Sequence, residues 1–164
     1  MIYTRNKKME DIFEIAKNME KEGWELYEEQ VKKTTDEGIK NILHMLAQQE
    51  KEHYNIFDAL QKKHSIKLKQ GSFKGITDFF KEAREDLPKD QLDVYKKILS
   101  VEKKSQEFYE EIAQKQDNPQ TKEIIQRIAH EEHKHWIIIK NMIDYIKRPE
   151  QWVEDAEFHH LEDY

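Results

Sequence analysis

A chain of 164 residues carries 28 Lys and Arg against 34 Asp and Glu, a formal charge of −6, and contains no cysteine. The acidic balance argues against nucleic acid, which needs a basic face, and the missing thiols exclude disulfides, zinc ribbons and thiol catalysis. No stretch approaches the roughly 20 apolar residues of a membrane span, and the opening MIYTRNKKMEDIF is too polar for a secretory signal. A cytoplasmic protein of one domain, residues 1–164, is expected.

Four glycines and three prolines punctuate the chain, so its elements should be few and long. Apolar residues recur at helical spacing through four segments. The first helix is predicted from about Lys8 to Lys33, and the second from Thr35 or Asp36, both good N-caps, to about Lys63. The third starts after Pro88, with Asp90 as cap, and reaches about Gln116. The fourth opens at Asn118–Pro119, a cap followed by proline at the first helical position, and continues to about Lys147. Short links make helices one and two, and three and four, antiparallel hairpins. The connection from about His64 to Leu87 is much longer, with a short helix predicted in ITDFFKEARE, and can cross the length of the bundle. That is the one-crossover topology of ferritin-like four-helix bundles; an up-down bundle with a loose loop is the alternative. Residues 148–164 read as a tail, with a short amphipathic helix packing Trp152 and Phe158 on the bundle or on a second subunit.

An internal repeat runs through these helices. MEKEGWELYEE at Met19–Glu29 aligns with VEKKSQEFYEE at Val101–Glu111, a shift of 101 − 19 = 82 residues. Without any gap, the same shift carries QEKEH (Gln49–His53) onto EEHKH (Glu131–His135). Glu20 thus matches Glu102, Tyr27 matches Tyr109, Glu50 matches Glu132 and His53 matches His135. The fold should therefore have an internal two-fold repeat, and its best-kept residues are of metal-ligand types.

Core positions of a bundle recur in steps of three and four. In helix two the stripe reads Ile39, Leu43, Leu46, Glu50, His53, Phe57, Leu60, and in helix four Ile125, Ile128, Glu132, His135, Ile139, Met142, Ile146. Helix one gives Phe13, Ala16, Glu20, Gly23, Tyr27, and helix three gives Tyr95, Ile98, Glu102, Ser105, Tyr109. Six ionisable residues therefore sit on the inward seam. An unpaired buried carboxylate costs several kcal/mol or takes up a proton, and four at one level would repel one another. Two divalent cations cancel four carboxylates, and neutral imidazoles add no charge. Glu and His three apart lie on one helix face and can reach one ion, which leaves Glu50 and Glu132 placed to bridge two metals. A lone Glu-x-x-His in a charged helical protein is commonplace, and a lone histidine on an apolar face is usually a core residue. The matched duplication is what separates this constellation from either. Tyr27 and Tyr109 lie two turns past Glu20 and Glu102, as core packing or as hydroxyl donors that orient ligand carboxylates. His130, His133, His159 and His160 read as surface and tail residues.

The set Glu20, Glu50-x-x-His53, Glu102 and Glu132-x-x-His135 resembles the rubrerythrin branch of the ferritin-like di-iron carboxylate proteins, over all four helices from about Met9 to Lys147. The tail RPEQWVEDAEFHHLEDY is similar to those of short members of that branch. The resemblance implies a centre of two iron ions that reacts with dioxygen or hydrogen peroxide. Carboxylates and imidazole suit iron or manganese, and zinc is a further candidate occupant. Longer members carry a rubredoxin domain with four cysteines, and an extra glutamate one turn after the third-helix ligand, where this chain has Ser105. Electrons are then expected from a separate rubredoxin-like protein, and the protein itself is expected to be a homo-oligomer such as a dimer. The alternatives are ferrous-iron oxidation coupled to storage, and a structural helical bundle without metal.

Overall fold

Each long helix begins where a short polar side chain can accept a free backbone N–H. Asp11 Oδ1 accepts from Phe13 N–H (2.9 Å), Asp36 Oδ1 from Ile39 (3.0 Å), Asp90 Oδ1 from Asp93 (3.2 Å) and Asn118 Oδ1 from Thr121 (3.0 Å). The resulting helices are α1 (Ile12–Lys33), α2 (Glu37–Lys63), α4 (Gln91–Gln114) and α5 (Pro119–His159), with α3 (Lys74–Glu85) in the long connection. Two short strands, β1 (Met9–Asp11) and β2 (Lys67–Lys69), pair antiparallel with Met9 opposite Lys69. The computed structural model describes residues 9–63, 67–69, 74–85, 87 and 89–159. Among the described residues no helix is long and apolar enough to cross a membrane.

Helix α1 starts four residues later than the apolar spacing predicts, because Asp11 is its cap and the three residues ending there pair with β2. The fourth bundle helix differs more. Instead of stopping near Lys147 it runs on through Pro149 to His159. Proline there removes one backbone hydrogen bond, but EQWVEDAEF beyond it contains no glycine and many good helix formers. The packing of Trp152 and Phe158, and residues 160–164 of the tail, fall outside the described residues.

Two apolar clusters fix how the helices run. One gathers Phe13 and Ile15 from the start of α1, Phe57 and Leu60 from the end of α2, Phe108 and Ile112 from the end of α4, and Ile125 and Ile128 from the start of α5. The other gathers Leu26 and Tyr27 from the end of α1, Ile39 and Leu43 from the start of α2, Val94 and Ile98 from the start of α4, and Ile139 and Met142 from the middle of α5. So α1 runs parallel to α5 and α2 parallel to α4, and the link from α2 to α4 must return along the full length of the bundle. This all-α, one-crossover bundle is the predicted ferritin-like architecture. The crossover holds β2, tied to β1, and α3, whose Phe80 and Ala83 are buried in the first cluster beside Ile12 and Ala16. The predicted seams are correct residue by residue: every position named on them is buried except Ile146, which is half-buried.

Phe57 is fully buried between Phe13 (ring centroids 6.3 Å apart) and Tyr109 (5.0 Å). Replacing it by alanine should cost about 3–5 kcal/mol of unfolding free energy, as for other buried aromatics. A urea titration checks this; a loss under about 0.5 kcal/mol, the range of surface substitutions, would place Phe57 outside the core.

Candidate metal centre

Between the two apolar clusters the inward seam changes from hydrocarbon to acid. Helix α1 contributes Glu20, α2 Glu50 and His53, α4 Glu102, and α5 Glu132 and His135, all six at most 4% exposed. Ligand atoms of Glu20, Glu50, His53 and Glu132 lie within 4.8 Å of one another, and so do those of Glu50, Glu102, Glu132 and His135. Glu50 and Glu132 belong to both sets. The repeat shift of 82 turns one set into the other, so the site has the two-fold symmetry of the duplication. All six residues singled out in the sequence come together.

Their inward atoms are short of partners. His53 Nδ1 is 2.9 Å from Glu132 Oε1 and 3.4 Å from Glu20 Oε2; His135 Nδ1 is 2.8 Å from Glu50 Oε1 and 3.4 Å from Glu102 Oε2. These approaches are close, yet none has the direction of a hydrogen bond. Apart from Gln30 Nε2, the buried side-chain atoms without a hydrogen-bond partner among the described residues are those same six, one from each residue. Buried polar atoms are normally satisfied. Six that converge unsatisfied, four oxygens and two nitrogens, are a donor set that fits hard or borderline divalent cations.

The charges resist crowding. Burial, then repulsion from Glu132, Glu20 and Glu102, pushes Glu50 well above the usual carboxylate range. Burial and Glu20 likewise raise Glu132 to about 8. Glu20 moves the other way: burial opposes its charge, but Glu50, His53 and Tyr109 together outweigh it and lower its pKa. A proton held on Glu50 supports the charge on Glu20. Burial also disfavours the charged imidazoles, but Glu132 and Glu20 overcome it for His53, raised to about 12, and Glu102 with Glu132 for His135, raised to about 9.

Outside the six, each half of the repeat steadies the other. Tyr27 OH donates to Glu102 Oε1, and Tyr109 OH to Glu20 Oε1. Burial, then the neighbouring carboxylates, pushes both phenols well above their usual range, so they stay protonated donors. The outward nitrogens are held too: His53 Nε2 lies 2.7 Å from Glu131 Oε2 and His135 Nε2 lies 3.0 Å from Gln49 Oε1. Glu131 and Gln49 were not singled out from the sequence, although they open the two aligned segments EEHKH and QEKEH. Gly23 borders the site: a Cβ there would meet Glu50 Oε2 at 3.4 Å. Of the other histidines, His130 is exposed, and His133 stacks on Trp136 on the outside of the bundle, neither reaching the cluster.

A one-crossover helical bundle with a buried carboxylate–histidine cluster defines the class. The sequence model described as rubrerythrin matches residues 1–61 and 93–164, and the chain belongs to the rubrerythrin family. The stretch left unmatched contains α3 and ends within the first turn of α4, so the match covers all six residues of the cluster. No curated protein and no solved structure matches it.

The metal-free protein should lose stability as pH rises. Glu132 and His135 bind protons more tightly when folded than at their ordinary values of 4.5 and 6.5. The stability each contributes is complete below those values and is lost as pH rises through about 8 and about 9. Glu20 acts oppositely, but only in acid, where its lowered pKa is reached. The midpoint of thermal unfolding in chelator should therefore fall between neutral pH and about 9. A midpoint that holds or rises over that range would contradict the crowded cluster.

Proposed function

We propose that this protein is a non-haem di-iron carboxylate oxidoreductase that reduces hydrogen peroxide or dioxygen with electrons from a separate donor. The observation that carries the reading is the pair of four-residue sets sharing Glu50 and Glu132, in a chain of the rubrerythrin family. Glu20 and His53 would hold one ion, Glu102 and His135 the other, with Glu50 and Glu132 between them. Carboxylate oxygens and imidazole suit iron; manganese fits the same donors, and zinc can occupy them. Iron held there would supply the redox chemistry, with two electrons from the separate donor balancing H₂O₂ + 2e⁻ + 2H⁺ → 2H₂O.

The chain's own residues prepare that chemistry. Tyr109 and Tyr27 each occupy one oxygen of Glu20 and Glu102, which leaves Oε2 of both directed inward. Glu131 and Gln49 fix the imidazole rings so that Nδ1 faces the cluster. The apolar clusters above and below exclude water from the carboxylates. Protons held by Glu50, Glu132 and His135 must leave when metal binds, so affinity should rise with pH across about 8 to 9. The 164 residues contain no cysteine and so cannot themselves hold a rubredoxin-type iron, and a separate rubredoxin-like donor fits the need. Self-association, for instance as a dimer, and a cytoplasmic setting are part of the same proposal.

Anaerobic di-ferrous protein mixed with hydrogen peroxide or oxygen tests the reading. Oxidation should follow within seconds, stop at two irons per chain when ferrous iron is in excess, and reverse with an added reductant over repeated cycles. Continued uptake of many irons per chain would favour ferroxidase and storage instead. No reaction with either oxidant would sink both.

A further inference from the structure

The two halves of the site are alike in their six inward residues and differ just outside them. Gln49 and Glu131 are repeat equivalents, 131 − 49 = 82, and each directly precedes a shared glutamate. Each crosses to the imidazole of the other half: Glu131 Oε2 is 2.7 Å from His53 Nε2, and Gln49 Oε1 is 3.0 Å from His135 Nε2. The duplication has kept the contact and changed its charge. Gly23 against Ser105 also breaks the symmetry, but Gly23 faces Glu50, which belongs to both ligand sets and favours neither.

Once the inward Nδ1 binds a cation, the remaining ring hydrogen is on Nε2, and its acceptor sets how strongly Nδ1 donates electrons. A carboxylate acceptor forms the stronger, charge-assisted hydrogen bond and pushes electron density into the ring; an amide oxygen does so less. The added negative charge also favours a cation nearby. Solvent tempers it, since the Glu131 side chain is 41% exposed. We infer that Glu131 and Gln49 are positioning residues that make the two metal positions inequivalent, the position on His53 and Glu20 binding a divalent cation more tightly and filling first. This rests on the two-metal reading above.

Anaerobic titration with cobalt(II), followed by calorimetry and by the visible absorption of the bound ion, reads the two positions without any turnover. The wild-type protein should bind two ions in resolved steps, their affinities differing by about tenfold or more, the usual weight of such outer partners. Glu131→Gln should weaken the tight step until the two merge, whereas Gln49→Glu should strengthen the weak one. The exchanged double variant should again show two steps in reversed order. His53→Ala would then abolish the tight step in the wild-type background and the weak step in the exchanged one. Thermal unfolding of each variant identifies any that fails to fold, and the gain in Gln49→Glu cannot come from damage. Two equal ions in the wild type, or a separation unchanged in Glu131→Gln, would overturn the inference. Absence of cobalt binding would instead overturn the two-metal reading, and this inference with it.

Discussion

Four glutamates share one buried volume, and nearly everything else about the site responds to that crowding. A single buried carboxylate without a partner already costs several kcal/mol, and here Glu50 and Glu132 each sit with three others and Glu20 and Glu102 each with two. Part of the repulsion is relieved by protons, on Glu50, Glu132 and both histidines. Part is met by the phenols of Tyr27 and Tyr109, which donate to Glu102 and Glu20. What remains is one unsatisfied inward atom on each of six residues. Cations that displace those protons can satisfy such a remainder, which is why a cluster that weakens the metal-free bundle is intelligible as a metal centre.

The fold supplies the stiffness that such crowding requires. The site lies between two apolar clusters, so four helices are clamped above and below it and cannot spread to relieve the repulsion. Crossed contacts tie the halves together: a tyrosine of each hairpin holds a glutamate of the other, and a residue beside each shared glutamate holds the opposite imidazole. The crossover packs along the bundle, with β2 paired to β1 and α3 against α1 and α4, its Phe80 buried in the first cluster. Neither hairpin by itself would bring a complete set of four ligands together.

Much of this was legible in the amino-acid order, because helical spacing and duplication are both local patterns. Glu20, Glu50, His53, Glu102, Glu132 and His135 stand out as acids and imidazoles on otherwise apolar stripes, and all six converge. Glu131 and Gln49 do not stand out. They lie one residue off the stripe, where a polar side chain is the norm for a solvated face, and only the three-dimensional pairing of opposite halves gives them a role. The roles of Tyr27 and Tyr109 were half legible: their burial followed from spacing, but their crossing to the other repeat did not. The start of α1 was set by a strand pairing with a segment more than fifty residues away, which no local window contains. The long α5 overrode a proline that ordinarily marks a helix end.

The central claim is that the six inward residues hold two metal ions. A crystal of the iron-loaded protein, with data collected on either side of the iron absorption edge, tests it most directly. Two anomalous peaks about 3.5–4 Å apart, as in other two-metal sites, should lie between the apolar clusters, with Glu50 and Glu132 touching both. A single peak, peaks on the bundle surface, or none between the helices would contradict the account.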